Sequence, residues 1–151
     1  MPTKVRADPY AGYSFLLTIA GISDDGKATS GSFSEISGIE AEIGVIEYRN
    51  GSEQNSVRKL PGLVKYTNIS CKRGVTGDLN FWKWIKSGID GRPQRADGAI
   101  ILRDEAQAEV LRWVFRRAWP CKFTGPGLNA ANNEIAVDTL EICHEGIEID
   151  Q

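Results

Sequence analysis

The alternation of apolar and polar side chains near the start of the chain restricts its fold more than any other feature. Between residues 13 and 19 every second side chain is apolar, while Ser14 and Thr18 point the opposite way. The apolar positions are Tyr13, Phe15, Leu17 and Ile19. A period of two residues is typical of a β-strand with one buried face, and such strands are common in antiparallel sheets.

Later segments repeat this character and predict the remaining strands. We expect strands over Phe33 to Ile39, Glu42 to Arg49, Leu63 to Lys72, Ala99 to Arg103, Glu109 to Arg117, Trp119 to Phe123 and Glu134 to His144. Gly21 to Gly31 and Asp104 to Ala108 have the composition of turns, and a phase change in the last strand predicts a bulge near Asp138 or Thr139. The pattern predicts a mainly β fold, an antiparallel β-sandwich or barrel with one short flanking α-helix.

The one predicted helix follows a plausible cap at Thr76-Gly77-Asp78 and is expected to end at Gly88. Apolar side chains recur within it at spacings of three or four residues, which is the period of a helix face. The residues expected to pack against the sheet are Leu79, Trp82 and Ile85, with Ile89 continuing the stripe.

Between two predicted strands lies a long segment, Asn50 to Gly62, that reads NGSEQNSVRKLPG. It is polar except for Val57 and Leu60, and it closes with a Pro-Gly pair. Such a composition predicts a long exposed loop.

The length and composition fit one soluble domain. The chain has 151 residues, of which 41% are hydrophobic and 25% charged, so we expect residues 1–151 to form a single domain. A net charge of -2 gives no general attraction to nucleic acid or to an anionic membrane. Met1 to Pro9 contain no apolar run, so we expect a chain made in the cytoplasm without a signal peptide and without a membrane anchor.

Few residues suit catalysis or metal binding. Cys71, Cys121 and Cys143 have no paired spacing and are expected to be reduced, mostly buried thiols. His144, at a strand end, is expected to be structural or exposed. Gly21 to Ala28 has the glycine spacing and lysine of a phosphate loop but lacks the hydroxyl and the following helix. We therefore expect no catalytic residues, no metal site, no cofactor-binding residues and no enzyme activity.

Two basic pairs, Lys72-Arg73 and Arg116-Arg117, are the positions at which phosphate groups would be contacted if the chain bound nucleic acid. Acidic residues are interspersed with them, and the overall charge is close to neutral. We expect these pairs to lie on solvated faces or in salt links.

Five segments of the chain form an ordered pattern. They are SEISGIEAEIGVIEYRNG, VRKLPGLVKYTNISCKRGVT, LNFWKW, IILRDEAQAEVLRWVFRRAWPCKFTGPGLNA and NEIAVDTLEICHEG. The pattern covers nearly the whole chain and resembles the tail tube proteins of contractile phages and of phage-tail-like contractile injection systems. One departure is Gln107, which stands in a hairpin turn where related chains often have glycine.

The resemblance implies a structural rather than a catalytic role. In such proteins a β-sandwich or barrel is flanked by a helix, subunits join into six-membered rings, and the rings stack into a hollow tube. The chain would then be an inner-tube subunit of a phage tail or phage-tail-like particle, whose bore conducts DNA or protein cargo into a target cell. Its implied partners are further copies of itself, a contractile sheath protein, and baseplate or tube-initiator proteins. No cofactor is implied.

The long polar segment acquires a role from this resemblance. In a tube it becomes a candidate arm that reaches a neighbouring subunit or ring, with apolar side chains as the anchor and charges that set the register. The candidate arm residues are Glu53, Val57, Arg58, Lys59 and Leu60.

Three alternatives remain open from the sequence. A tube-initiating baseplate subunit of the same family would form a ring but not a repeating tube. A carbohydrate-binding β-sandwich could share the strand pattern and the aromatic content. A phosphate-handling enzyme would need the defective Gly21 to Ala28 motif to function.

Overall fold

The computed structural model describes residues 7–20, 33–49, 51, 56–75, 79–131 and 133–150. Its strands, within these ranges, are β1 Phe15–Ile19, β2 Phe33–Ser37, β3 Ala41–Tyr48, β4 Arg58–Tyr66, β5 Ile69–Gly74, β6 Ala96–Arg103, β7 Glu109–Thr124, β8 Val137–Cys143 and β9 Gly146–Asp150, and its helix α1 spans Asn80–Ile89. Every strand pair is antiparallel. The prediction of a mainly β, antiparallel fold with one short helix is confirmed. The predicted turn at Gly21 to Gly31 lies outside the described residues.

Two sheets share the long strand β7. One sheet contains β1, β6, β7 and β9, and the other contains β7, β8, β5 and β2, each in that order. The first half of β7 pairs with β6 and β9, and the second half pairs with β8. The prediction of two strands, Glu109 to Arg117 and Trp119 to Phe123, is therefore wrong at their junction, because one strand of 16 residues runs through both sheets.

The strand changes sheet at a bulge around Arg117. This residue has a φ of 51°, and the β6–β7 register shifts beside it. Its backbone N–H donates a hydrogen bond to Asp97 Oδ1 at 3.0 Å, which satisfies a donor that the ladder leaves unpaired. Opposite the bulge, a Cβ at Gly98 would lie 2.4 Å from the Phe115 ring. Only glycine lets the aromatic ring cross β6 here.

One cluster of buried side chains joins both sheets and the helix. It comprises Leu17, Ile19, Ile69, Cys71, Phe81, Trp84, Ala96, Ile100, Phe115, Ala118, Leu140 and Ile142. The buried face predicted for the first strand is confirmed at Leu17 and Ile19, whereas Tyr13 of the same face is 69% exposed. Burial of this apolar surface is the main stabilising contribution to the fold.

The helix packs on the core through a face that the sequence analysis did not select. Phe81 and Trp84 are its buried residues, whereas Leu79 is 57% exposed, Trp82 is 44% exposed, and Ile85 is only half-buried. The prediction that Leu79, Trp82 and Ile85 pack against the sheet is therefore wrong for Leu79, whereas Trp82 contacts the sheet through Phe123 of β7 but remains partly exposed. Apolar residues cover more than one face of this helix, so helical spacing alone fits two different stripes.

The helix ends are also placed differently from the prediction. Gly88 lies inside the helix, which ends at Ile89, and Asp90 closes it by donating its backbone N–H to the Lys86 carbonyl at 2.9 Å. The chain turns away at Gly91, whose φ of 84° suits glycine. The predicted cap at Thr76 to Asp78 lies outside the described residues.

The last predicted strand is shorter than expected and lacks the predicted irregularity. β8 keeps one register with β5 throughout, so the predicted bulge at Asp138 or Thr139 is wrong, and the irregularity lies instead on β7 between Pro120 and Lys122. Ile135, which produced the apparent phase change, precedes the strand and is 82% exposed. The sequence analysis also missed β9, which follows β8 after only two residues.

The predicted hairpin between β6 and β7 is confirmed. Asp104 Oδ1 accepts hydrogen bonds from the backbone N–H groups of Ala106 and Ala108, each at 2.9 Å. Gln107 has a φ of 66°, in the left-handed region that glycine adopts without strain. Gln107 is the one residue of this turn in the left-handed region.

Candidate assembly interface

β3 and β4 form a hairpin that pairs with none of the other described strands. Its register places Ile46 opposite Leu60 and Glu47 opposite Lys59. The prediction that Asn50 to Gly62 is a loop is therefore wrong from Arg58 onward, although most of the residues described in this segment are exposed, as expected. The predicted run Leu63 to Lys72 is likewise two strands, separated at Thr67 and Asn68.

Pro61 explains why the sequence analysis missed β4. A proline in a predicted strand argues against that strand, because it has no N–H for the ladder. Here Pro61 lies opposite Val45 in a hairpin whose outer edges carry no strand of the described chain, so the missing donor costs little. The sequence did contain a sign that this hairpin is apolar on both faces. Val45 and Ile46 are adjacent in β3, so their apolar side chains belong to opposite faces of the strand.

Two glycines meet at an irregularity in the middle of the hairpin. The register shifts between Ile43 and Val45, and a Cβ at Gly62 would lie 3.0 Å from the Gly44 carbonyl oxygen. A side chain at Gly62 would push the two backbones apart. We infer that this close approach fixes the shape of the hairpin.

The hairpin exposes large apolar side chains on both faces. It and its immediate flank carry nine of the seventeen exposed large apolar residues among those described: Ile43, Val45, Ile46, Tyr48, Val57, Leu60, Leu63, Val64 and Tyr66. Leu63, for example, is 86% exposed. An exposed apolar surface this concentrated, on strands with open edges, is a typical protein–protein interaction site.

The predicted arm residues fall partly on this hairpin. Arg58, Lys59 and Leu60 lie in β4, and Val57 immediately precedes it. Glu53 lies outside the described residues. The structure therefore brings four of the five candidates together on an exposed element.

Two side-chain hydrogen bonds at Thr67 anchor the end of β4 to the rest of the subunit. Thr67 Oγ1 donates to Glu40 Oε2 at 3.0 Å, and His144 Nε2 lies 3.0 Å from the Thr67 carbonyl oxygen. Because a carbonyl only accepts, Nε2 carries the proton and donates. His144 is buried and packs its ring near Tyr66 and Phe115. The prediction of a structural histidine is consistent with these contacts.

The exposed face of the helix contributes a second apolar surface. Trp82 packs edge-on against Phe123 with ring centroids 5.4 Å apart, yet remains 44% exposed. Beside it, between α1 and the second half of β7, lies a groove of about 380 Å³. Its lining includes Ile85, Ile89, Pro93, Arg95, Trp119 and Pro120. We call this feature the helix groove.

The two basic pairs make contacts within the subunit. Lys72 Nζ lies 3.4 Å from Glu35, and the Arg73 guanidinium lies 4.2 Å from the centroid of the Phe81 ring. Arg116 and Arg117 form ion pairs with Glu148 and Glu145, at 3.2 and 2.8 Å. These contacts bear out the expectation of salt links for Lys72, Arg116 and Arg117, and Arg73 is not solvated but buried.

The described part of the chain contains no group of three or more histidine, cysteine or acidic residues arranged to hold a metal ion. All three cysteines are free; Cys71 is buried, Cys143 half-buried and Cys121 exposed, so the prediction of mostly buried thiols is confirmed for Cys71 and wrong for Cys121. No described helix has the length and apolar character needed to cross a membrane.

The cysteines should differ sharply in reactivity. Cys71 is 2% exposed, and burial raises its pKa to about 12, so almost no reactive thiolate is present at about pH 8. Partial burial, and then the charge of Glu141, also raise the pKa of Cys121, but this thiol is exposed. We expect an alkylating reagent to modify Cys121 first in the folded subunit, as measured by peptide mass spectrometry with Cys121→Ser as control. Equally fast labelling of Cys71 would contradict its burial.

The family of the T4-like virus tail tube protein gp19 is matched over residues 12–148. The chain belongs to this family. The family and the fold are those of structural tube proteins, so the predicted tube subunit is confirmed over the alternatives, and the enzyme is excluded. No curated protein gives a match to the chain.

Solved structures of tube proteins share this fold. One, from the sheath–tube complex of the extracellular contractile injection system PVC, is 27% identical with a TM-score of 0.81, covering 94% of this chain and 91% of that one. Another, from the tube-terminating cap of the anti-feeding prophage, is 27% identical with a TM-score of 0.82, covering 97% and 94%. Hcp1 from Flavobacterium johnsoniae, at 16% identity and a TM-score of 0.59, covers 89% and 93% and bears on the fold alone.

Proposed function

We propose that this tail tube protein forms six-membered rings that stack into a hollow tube, and that the β3–β4 hairpin is the arm that joins neighbouring subunits. The observation that carries the proposal is the unpaired hairpin with apolar side chains on both faces. A monomer would leave this surface in water, whereas contact with a further copy would bury it. Head-to-tail contacts between identical copies close into rings or continue as filaments.

Within the arm, the residues proposed to make the contact are Val57, Arg58, Lys59 and Leu60, together with Glu53, which lies outside the described residues. To these we add Ile46, because it lies opposite Leu60 and is 52% exposed. The apolar residues would supply the contact area, and the charges would set its register.

The tube is proposed to work as the inner conduit of a contractile particle. A sheath would enclose it, a baseplate with tube-initiating proteins would nucleate it, and shortening of the sheath would drive it through a target envelope. DNA or protein cargo would pass through the bore. The comparison structures that come from a sheath–tube complex and a tube-terminating cap support this arrangement.

Electron microscopy of the purified protein tests the proposal. We expect rings at high concentration, and stacked tubes when sheath and baseplate proteins are supplied. Native mass spectrometry of the rings should give six times the subunit mass. A strictly monomeric mass at every concentration, with no tubes beside sheath and baseplate, would overturn the proposal.

A further inference from the structure

The subunit carries opposite charges at the two ends of the β6–β7 pair. At one end is the β6–β7 turn, where four acidic residues accompany two basic ones: Asp104, Glu105, Glu109 and Asp150 with Arg103 and Arg112. At the other end, four basic residues accompany three acidic ones around the helix groove: Lys86, Arg92, Arg95 and Arg117 with Asp90, Asp97 and Glu145. The chain as a whole has a net charge of only -2. The contrast between the two ends therefore reflects where the charged residues lie, and not a large overall charge.

Both ends are built so that their surplus charge faces solvent. Glu145 is shared by Arg95 and Arg117, at 2.9 and 2.8 Å, so one carboxylate serves two guanidinium groups. Arg92 is exposed beside Pro93, which lines the groove. The rim of the helix groove therefore carries a small net positive charge, to which exposed Arg92 contributes, while the lining is largely apolar.

At the acidic end, Arg112 is held by Glu109 through two hydrogen bonds of 2.7 and 3.0 Å. Hydrogen bonding to Arg112 lowers the pKa of Glu109, so this carboxylate stays ionised. Asp104 fixes the backbone of the turn, and the exposed tip carries Glu105 and the small side chain of Ala106. The turn is a narrow, acidic projection.

We propose that the acidic β6–β7 turn of one copy docks in the helix groove of another copy. The two features lie about ten residues apart along β7, which is roughly 30 Å, so one subunit cannot join them within itself. Contact between different surfaces of identical chains is heterologous and produces rings or open stacks. The inference rests on the proposed tube assembly and identifies a second contact, separate from the hairpin.

Charge also argues against the hairpin as the occupant of this groove. Its described residues carry four basic side chains and two acidic ones: Arg49, Arg58, Lys59 and Lys65 with Glu42 and Glu47. Two basic surfaces repel each other at close range, whereas the acidic turn is attracted.

Reciprocal charge reversal tests the contact. Arg92→Glu reverses one charge at the rim of the groove and leaves the ion pairs of Glu145 in place. Glu105→Lys reverses one charge at the tip of the turn and leaves Asp104 and the Glu109–Arg112 pair in place. Each variant alone should need a roughly tenfold or higher protein concentration to assemble, because like charges then face each other. Circular dichroism of each subunit should stay unchanged. Glu134→Lys, an equal charge change on an exposed loop residue, is the matched control and should assemble normally.

An equimolar mixture of the two variants gives the decisive result. In an alternating arrangement, the reversed groove of one variant meets the reversed turn of the other, and the unaltered groove meets the unaltered turn. We expect the mixture to assemble at close to the concentration required by the original protein. A mixture that assembles no better than its components, while the original protein forms tubes, would overturn the turn–groove contact and leave the tube proposal intact.

Two further outcomes separate the possible partners. If Arg92→Glu forms normal bare tubes but loses its sheath, the groove binds the sheath and the contact between copies is refuted. If the original protein forms neither rings nor tubes even with sheath and baseplate, the proposed function fails and the inference fails with it.

Discussion

Trp84→Ala is expected to lower the free energy of unfolding by about 3–5 kcal/mol, the usual range for removing a large aromatic side chain from a core. Trp84 is 1% exposed and belongs to the cluster that joins the helix to both sheets. Its indole N–H donates to the Gln94 carbonyl at 2.7 Å, so the substitution also leaves an acceptor without its partner. Such a loss is a large part of the 5–15 kcal/mol typical of a domain.

The control for this experiment lies two residues away on the same helix. Trp82 is 44% exposed, so Trp82→Ala should lower stability much less, although it removes a side chain of the same size. Urea denaturation followed by circular dichroism measures both changes. An equal or larger loss from Trp82→Ala would show that the packed face of the helix has been assigned incorrectly.

Replacing Ile46 and Leu60 together by threonine is expected to abolish tube formation while leaving the subunit folded. The two side chains lie opposite each other in the hairpin and are 52% and 46% exposed. Threonine is β-branched, a shape that strands favour, so the hairpin itself should persist. Each lost apolar side chain removes about 1.5–3 kcal/mol of contact energy if fully buried between subunits, and the loss recurs at every subunit of every ring.

The neighbouring cross-strand pair supplies the control. Glu47 lies opposite Lys59, and replacing both by threonine changes the same two strands without removing apolar surface. We expect shorter or less regular tubes at most. Replacing Val57 to Leu60 with glycine and serine is a harsher version of the first test and should also spare the subunit, because the hairpin pairs with no other described strand. Full-length tubes from the variant with threonine at Ile46 and Leu60, or an unfolded subunit, would contradict the proposal that the hairpin is an assembly arm.

Hydrophobic patterning determined most of the strands from the sequence. The alternation at residues 13–19 predicted β1, and the segments around β6, β7 and β8 were located because their apolar residues follow the period of a strand. The apparent break between Glu109–Arg117 and Trp119–Phe123 marked a real feature, the bulge at Arg117, but not a chain reversal. The sequence pattern shows that the alternation of side chains changes near Arg117. Only the strands that pair with β7 before and after this residue show that one strand belongs to two sheets.

The packed face of the helix and the hairpin were decided by tertiary structure. Leu79, Trp82 and Ile85 follow a helical spacing as well as Phe81 and Trp84 do, and only contact with the sheets selects the second set for burial. In β4, local propensity argued against a strand at Pro61, and the open edge of the hairpin removed that objection.

The sequence by itself therefore determined the class of fold, the number and order of most strands, and the family, because these depend on local periodicity and on the order of segments along the chain. Tertiary structure decided which exposed apolar residues share a surface. Ile46 and Leu60 become neighbours through the hairpin register, and the acidic turn and the helix groove lie at opposite ends of β7 because the strand is continuous. Such surfaces combine residues distant in sequence, so their chemistry depends on the fold that brings them together.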